Sequence, residues 1–302
     1  MKEKTAALCV ISAGVLWGVI SFFIRALSAA GLDSLQITAV RMLVTAPIFF
    51  AVAARRGGKS LKIRLRDIWM FIGTGIISIV LFNACYFYTM IHSQVSIAVV
   101  LLYTSPVFVM LLSALLLGEK ITPKKLLALA AAIAGCVLTA GLSLSGGGRL
   151  SPLILLTGLC SGLFYGLYTI FGQAALKKYD TLTVSAYTFL FGLLGAMPIC
   201  RPQEILPKIL SHPTVILWCV GIGIICTVLP YFLYTYGLRV IDGSRAAILA
   251  CVEPLVGAVI GMTFWRESRD IFKICGIALI LAAIMLLGKN ESKKEKAAVQ
   301  DK

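Results

Sequence analysis

Charged side chains are scarce in this sequence. They make up 14% of its 302 residues, whereas soluble proteins carry roughly 25%. The residue types AVILMFWYC supply 59% of the chain, and the mean hydropathy is +0.95. A soluble fold would lack the polar surface needed to cover so many apolar side chains. The scarcity of charge therefore excludes an ordinary soluble protein and indicates that lipid surrounds most of the chain.

Long polar stretches are also lacking. Away from the termini, the longest polar loop runs from Ala54 to Asp67. A helix needs about 20 apolar residues to cross a bilayer core, so ten such helices would use about 200 residues. This leaves no room for an enzyme domain tethered to a membrane anchor.

Motifs of soluble enzymes and of metal sites are missing. H-E-x-x-H, G-x-x-x-x-G-K-[ST] and G-x-S-x-G do not occur in the sequence. The nine cysteines show no C-x-x-C spacing, and the only histidines are His92 and His212. We therefore predict no cofactor, no metal site and no catalytic residue. Because no phosphate-binding loop is present, any uphill transport would draw on an ion gradient or an exchanged solute.

Ten apolar segments appear when the hydropathy is divided at charges, prolines and glycine clusters. With the N-terminus inside the cell, the cytoplasmic loops and tails hold 20 Lys and Arg residues and the opposite side holds 7. This bias predicts a multi-pass protein of the cell (inner) membrane with both termini cytoplasmic. It also explains the net charge of +15 without a nucleic-acid partner. The segments are 6–26, 35–54, 68–90, 95–117, 124–143, 152–172, 182–200, 214–236, 244–264 and 271–288.

An internal repeat becomes visible when the sequence is shifted by 148 residues against itself. Each half contains five segments, an odd number, so the second half enters the membrane upside down. We predict an all-α integral membrane protein with ten transmembrane helices in two inverted five-helix repeats, at 1–145 and 149–290, and a polar cytoplasmic tail at 291–302. Such repeats favour alternating-access transport of a small-molecule substrate. The matched pairs include Gly14/Gly162, Gly18/Gly166, Gly75/Gly223, Tyr86/Tyr234, Ser96/Ser244, Pro106/Pro254, Glu119/Glu267 and Lys125/Lys273.

Short motifs recur at corresponding places in the two halves. They are Ser105-Pro106, Glu253-Pro254, Leu117-Gly118-Glu119-Lys120 and the weaker copy Trp265-Arg266-Glu267-Ser268. In this order, over residues 6–288, the chain resembles the ten-span EamA proteins of the drug/metabolite transporter superfamily. The resemblance implies a bacterial inner-membrane exporter of amino acids or other small metabolites. The second copy has Arg266 in place of Gly118, so one span-end turn departs from the pattern.

Glu253 breaks the symmetry of the repeat, because the shift aligns it with Ser105. A charge at the bilayer centre costs about 2.5 to 3.5 kcal/mol on insertion scales, so such residues usually face a cavity or a partner. Pro254 removes a backbone donor, and we predict a helix kink there and at Pro106. Glu253 is predicted to couple transport to a proton or cation; a carboxyl group that only stabilises the kink remains an alternative.

Arg41 also breaks the symmetry, because it aligns with Phe189. It is a candidate to bind a substrate carboxylate. Pairing with Glu253 or extension to a membrane face are the alternatives, and both are favoured over substrate binding. The other predicted substrate-binding side chains offer hydrogen-bonding and stacking surfaces, with helix packing as the alternative role of each. They are Trp17, Asn83, Tyr86, Tyr103, Tyr165 and Tyr234.

Together these features predict a secondary active transporter, or permease, for a small metabolite. The predicted activity is export of amino acids or related compounds, with proton coupling through Glu253 as a further hypothesis. Two alternatives are a membrane-embedded enzyme that modifies a lipid and a non-transporting receptor or assembly subunit. The shortage of intramembrane carboxylates and histidines speaks against the enzyme. The sequence leaves open whether two copies form a homodimer.

Overall fold

The computed structural model describes residues 3–56, 61–93, 95–140, 151–264 and 270–300, with side chains up to Leu287. Within these ranges all regular structure is helical, as the sequence predicts. The motif copy at 265–268 and the glycine-rich seam at 145–148 lie outside the described residues. The helices are α1 (Glu3–Ala29), α2 (Ser34–Arg55), α3 (Leu65–His92), α4 (Val95–Leu117), α5 (Pro123–Thr139), α6 (Pro152–Leu176), α7 (Thr181–Ala196), α8 (Pro202–Leu210), α9 (Pro213–Gly237), α10 (Gly243–Phe264) and α11 (Ile271–Gln300).

Seven helices are long and apolar enough to cross a membrane: α1, α2, α3, α4, α6, α9 and α10. Helix α7 and the first part of α11, Ile271–Leu287, are shorter apolar helices. The count of ten spans therefore stays a prediction. The span predicted at 182–200 is shorter in the structure, because α7 ends at Ala196 and the separate helix α8 follows. Arg201 adopts a left-handed conformation (φ 51°) and Pro202 begins α8, where its missing N–H is tolerated.

Side-chain caps and prolines fix where several helices begin. Asp33 and Gln36 form a capping box at α2, with a bond of 2.8 Å from the Gln36 N–H to Asp33 Oδ1. Asp180 accepts a bond of 2.7 Å from the N–H of Thr183 at α7. Helices α5, α6 and α9 carry proline in their first turn. These short loops and sharp starts keep neighbouring helices antiparallel.

Helical irregularities recur in the two halves. Helix α3 contains a π-helical stretch, Gly73–Leu81, and α9 contains another, Ile224–Val228. The shift of 148 carries the first stretch to 221–229, so the two coincide. π-Helical turns are rare and often occur at functional sites.

Helices α4 and α10 are both interrupted, α4 between Leu102 and Ser105 and α10 between Ala250 and Val252. Each interruption precedes the proline that the sequence predicts as a kink. Pro106 and Pro254 therefore lie in the first turn of the resumed helix, where proline costs no hydrogen bond. Tyr103 at the first break and Glu253 directly after the second both line the interior cavity described below.

The packing joins the two halves of the chain. Helix α1 packs against α9, α3 against α6, α2 against α7, and α5 against α11. Helices α3 and α7 come closest at Gly75, where a Cβ atom would collide with the carbonyl oxygen of Thr188. Small residues allow this approach, as is common between helices in membranes. The interior between the halves is where the candidate site lies.

Candidate functional site

A cavity of about 230 Å³ lies between helices of both halves, among α1, α2, α3, α4, α6, α9 and α10. Its wall includes every predicted substrate-binding or coupling residue except Tyr234. These wall residues are Trp17, Arg41, Asn83, Tyr86, Tyr103, Tyr165 and Glu253.

The cavity extends toward one end of the molecule. Its lining reaches Ile24 near the end of α1, Ser34 at the start of α2 and Met90 near the end of α3. At the same end, Gln36 donates a hydrogen bond of 3.1 Å to Glu204 on α8. We call this the α8 end. The opposite end of the helix bundle holds the loop after α4 and the start of α10.

Glu253 lies in the first turn of the second piece of α10, directly after the break. The hydroxyl of Tyr165 donates a hydrogen bond of 3.2 Å to Glu253 Oε2. The ring of Phe82 packs on Tyr165 with centroids 5.1 Å apart. A helix N-terminus favours negative charge, so the break that exposes Glu253 also helps to stabilise its carboxylate. The second carboxylate oxygen remains available to a ligand.

Arg41 on α2 reaches into the cavity and is held by α9. Its Nε donates to Thr227 Oγ1 at 3.0 Å, and its Nη2 approaches the carbonyl oxygen of Cys226 at 3.5 Å. Thr227 in turn donates to the carbonyl oxygen of Ile222 at 3.0 Å, five residues earlier in the π-helical region. The described ion pairs within 4 Å do not include Arg41 with Glu253. The two charges therefore face one cavity without pairing, which differs from the paired alternative considered for the sequence.

An aromatic cluster forms the inner floor of the cavity. Trp17 packs edge-on against Tyr231 at 5.2 Å between ring centroids, and Tyr231 packs edge-on against Phe189 at 5.0 Å. Tyr231 lines the cavity but is absent from the residues chosen by sequence. The repeat could have indicated Tyr231 as a candidate, because the shift of 148 aligns it with Asn83, which is among the predicted substrate-binding residues. Thr38, one turn before Arg41, also lines the cavity and was not predicted.

Several polar atoms in the wall are available to a ligand. Among the described residues, the hydroxyl groups of Tyr86, Tyr103 and Tyr231 have no hydrogen-bond partner. Asn83 donates from Nδ2 to the carbonyl oxygen of Ile79 at 2.7 Å, which leaves its side-chain oxygen as an acceptor. These hydroxyl groups and the Asn83 oxygen lie in the cavity wall, where each can form a hydrogen bond with a polar ligand.

Tyr234 lies outside this cavity, contrary to its grouping with Tyr86. Its hydroxyl shares a hydrogen bond of 2.8 Å with Thr169 Oγ1 on α6. It lines a second, smaller cavity of about 30 Å³ on the other side of the aromatic floor. From the sequence, both Tyr86 and Tyr234 are predicted to bind substrate. In the structure, Trp17, Tyr165 and Tyr231 separate the two side chains.

Comparison with known proteins places the chain in a family. The model of the EamA-like transporter family matches residues 4–141 and again residues 152–289. The chain belongs to the EamA-like transporter family. It is thus an all-helical, multi-pass membrane protein with two EamA repeats, and the resemblance seen in the sequence is confirmed.

Relatives of this EamA protein are named as transporters. An uncharacterized transporter of Archaeoglobus fulgidus is 30% identical over 92% of this chain and 94% of its own. The uncharacterized inner membrane transporter YicL of Salmonella typhimurium is 25% identical over 98% and 99%. The pseudopaline exporter CntI of Pseudomonas aeruginosa is 24% identical over 95% and 97%. A solved crystal structure shares the fold, with a TM-score of 0.80, 18% identity and coverage of 97% and 100%.

Proposed function

We propose that this EamA protein is a secondary transporter that exports amino acids or related zwitterionic compounds by alternating access. One observation carries the proposal: Arg41 of the first half and Glu253 of the second half face the same cavity without pairing. Each charge has a hydrogen-bond partner, but the two do not form an ion pair, and charges in an apolar setting are costly unless an opposite charge compensates them. A zwitterion supplies a partner for each.

In the proposed complex, Arg41 binds the substrate carboxylate and Glu253 binds its ammonium group. The unpartnered phenols of Tyr86, Tyr103 and Tyr231 donate further hydrogen bonds to the carboxylate or to polar substituents. Apolar and aromatic walls cover the remaining part of the molecule. The cavity volume of about 230 Å³ lies below the roughly 300 to 1,000 Å³ of drug-sized pockets, so it suits a small metabolite.

Proton coupling follows from the same carboxyl group. Glu253 cannot hold a proton and an ammonium ion pair at once, so substrate release and protonation become alternatives. If the protein changes between its inward-facing and outward-facing states only when Glu253 is protonated or paired with substrate, each exported zwitterion is exchanged for an imported proton.

The proposed arrangement in the membrane has ten spans in two inverted repeats at 1–145 and 149–290. Both termini are cytoplasmic, and the tail at 291–302 follows the last span. The 20 to 7 division of basic residues supports this orientation. The relatives named an inner membrane transporter and an exporter support the location in the cell membrane and the direction of transport.

Reconstituted liposomes test the proposal. Vesicles are loaded with a panel of radiolabelled amino acids, and efflux is followed with and without an inward proton gradient. Export of a zwitterion that is accelerated by the gradient, and that loses its pH dependence in Glu253→Gln, is expected. Glu204→Gln, which removes a carboxylate outside the cavity, serves as the control. Absence of flux for every amino acid would overturn the substrate assignment, while unchanged pH dependence in Glu253→Gln would overturn only the coupling.

A further inference from the structure

The small cavity beneath the aromatic floor is the counterpart of the large one. Both cavities share Trp17, Tyr165 and Tyr231 in their walls. Part of the remaining walls is related by the repeat, since the shift of 148 carries some large-cavity residues onto small-cavity residues. Such pairs are Tyr86/Tyr234, Val99/Ala247 and Leu102/Ala250.

The two cavities also differ at one repeat-related position that carries charge. Glu253 lines the large cavity, and its counterpart Ser105 lines the small one. The volumes are about 230 Å³ and about 30 Å³. The small cavity has room for little more than water, since a cavity needs at least about 10 to 15 Å³ to hold one water molecule. One cavity is therefore open and its counterpart is collapsed.

Beyond the small cavity, Glu119 ties the two halves together at the end opposite α8. Its Oε1 accepts a hydrogen bond of 2.6 Å from the N–H of Gly243, where α10 begins. Its Oε2 accepts bonds from the N–H of Ser244 at 3.2 Å and from Ser244 Oγ at 2.6 Å. Gly118 has a left-handed backbone (φ 71°) that ends α4 and directs the chain into this contact. A carboxylate on helix-terminal N–H groups is among the stronger types of hydrogen bond.

A basic residue supports this contact from the side. Lys125 lies 3.7 Å from Glu119 and donates a bond of 2.8 Å to Asp242. Glu119 and Lys125 are nearly buried, with side chains exposed by 10% and 12%. The contact therefore closes this end of the bundle, and we call the contact of Glu119 with Gly243 and Ser244 the clasp.

Two unpaired polar atoms lie between the small cavity and the clasp. Ser113 Oγ and Gln173 Oε1 are buried and have no hydrogen-bond partner. Both adjoin the clasp, because a Cβ atom at Gly243 would lie 3.1 Å and 2.6 Å from them. On the far side, a surface depression is lined by Glu119, Gln173 and Asp242. Buried polar atoms without hydrogen bonds destabilise a permanently closed core. They can form hydrogen bonds if water or a polar solute enters the space between the small cavity and the clasp.

We propose that the small cavity is the collapsed form of the substrate site that opens when the protein faces the other side of the membrane. The clasp is the gate that keeps this site closed. This rests on the proposed alternating-access function. When Glu119 releases Gly243 and Ser244, the site opens past Ser113 and Gln173, and Tyr234 and Ala247 become walls for the substrate. The large cavity closes as the small one opens.

Accessibility of the route tests the gate without any substrate. A cysteine is introduced by Ser113→Cys, a nearly isosteric change at a fully buried position. The full-length protein in nanodiscs is treated with a membrane-impermeant maleimide, and modification at position 113 is quantified by mass spectrometry of its peptide. Adding Glu119→Gln, which removes the charge and one acceptor, should accelerate labelling by at least about tenfold. Adding Glu204→Gln, which changes a contact between halves at the α8 end, should leave the rate unchanged.

A second variant shows whether the small cavity opens with the gate. Ala247→Cys places a thiol in that cavity, so Glu119→Gln should accelerate labelling at position 247 as well as at position 113. Equal labelling rates with and without Glu119→Gln, in protein that remains monodisperse, would overturn the gate. Accelerated labelling at position 113 without acceleration at position 247 would overturn the assignment of the cavity. Failure of the transport proposal would appear separately, as clasp-dependent labelling in a protein that moves no amino acid in liposomes.

Discussion

Arg41 takes its position from a hydroxyl group on the other half of the molecule. Its Nε is bound to Thr227 and its Nη2 approaches the carbonyl oxygen of Cys226, so Nη1 is the guanidinium nitrogen best placed for a ligand. A charge-assisted hydrogen bond contributes about 1.5 to 3 kcal/mol. In a site of this volume, the Arg41 guanidinium would make the largest contribution to the affinity for a carboxylate.

Substitution of Arg41 should therefore reduce substrate affinity far more than stability. We expect Arg41→Gln to weaken binding of a zwitterionic substrate by about 10- to 100-fold. Thr227→Val should weaken it less, because the charge stays while its orientation is lost. Isothermal titration calorimetry on the purified protein measures both effects. Equal affinities in wild type and Arg41→Gln would show that the guanidinium does not contact the substrate.

Two tyrosines three residues apart on α9 offer a matched comparison at the aromatic floor. The Tyr231 hydroxyl has no partner among the described residues, whereas the Tyr234 hydroxyl is bonded to Thr169. Tyr231→Phe should reduce substrate affinity about fivefold and leave thermal stability unchanged. Tyr234→Phe should instead lower the free energy of unfolding by about 1 kcal/mol and leave affinity nearly unchanged. Ligand titration and thermal denaturation of the two variants distinguish these outcomes, and a reversed pattern would contradict the assignment of Tyr231 to the substrate.

The charged residues of the site could be predicted from sequence, and some aromatic ones could not. Glu253 and Arg41 stand out because charge within an apolar segment is a local property of the chain. Tyr231 and Tyr234 lie three residues apart on α9 and look alike in sequence, yet Tyr231 lines the large cavity and Tyr234 does not. That difference depends on the rotation of α9 against α1 and α6, which hydropathy does not encode.

At the scale of helices, close approach of backbones holds the halves together. Gly75 of α3 lies against the backbone of α7, with Thr188 and Gly192 as neighbours. By contrast, nothing lies within 4 Å of a Cβ atom at Gly257 of α10. Overpacking of a close contact costs about 1 to 3 kcal/mol, whereas alanine in an open helical position gains up to about 1 kcal/mol over glycine.

Replacing these two glycines with alanine should therefore change the stability of the protein in opposite directions. Gly75→Ala should destabilise the protein by about 1 to 3 kcal/mol, because α3 and α7 must separate. Gly257→Ala should be neutral or mildly stabilising. Thermal unfolding in detergent, read by intrinsic fluorescence, measures both. Loss of stability in Gly257→Ala, or none in Gly75→Ala, would contradict this view of the packing.

The positions of the helices could be predicted from sequence more readily than the irregularities within them. Apolar length alone predicts α1 to α4, since burial in lipid requires continuous helices. The breaks before Ser105 and Val252 and the π-helical stretches arise from packing between halves, so periodicity indicates them only through Pro106 and Pro254. The role of Glu119 is likewise hidden, because its partners Gly243 and Ser244 are more than 120 residues away.

At the scale of the whole molecule, the two cavities are unequal and lie toward opposite ends of the bundle. The large cavity reaches the α8 end, and the clasp closes the opposite end. In the proposed orientation, the α8 end faces the outside of the cell. In the proposed transport cycle, this arrangement is the state in which the substrate has been delivered or a proton is awaited.

Orientation in living cells tests this assignment. Arg201 lies at the α8 end and Lys177 at the clasp end, and both side chains are exposed. We expect an impermeant maleimide added to intact cells to modify the variant Arg201→Cys and spare Lys177→Cys, because only the first faces outward. Permeabilised cells should show both labelled, which controls for reactivity. The opposite pattern would place the termini and the clasp outside, and the open cavity would then face the cytoplasm, as for a transporter that awaits its cargo.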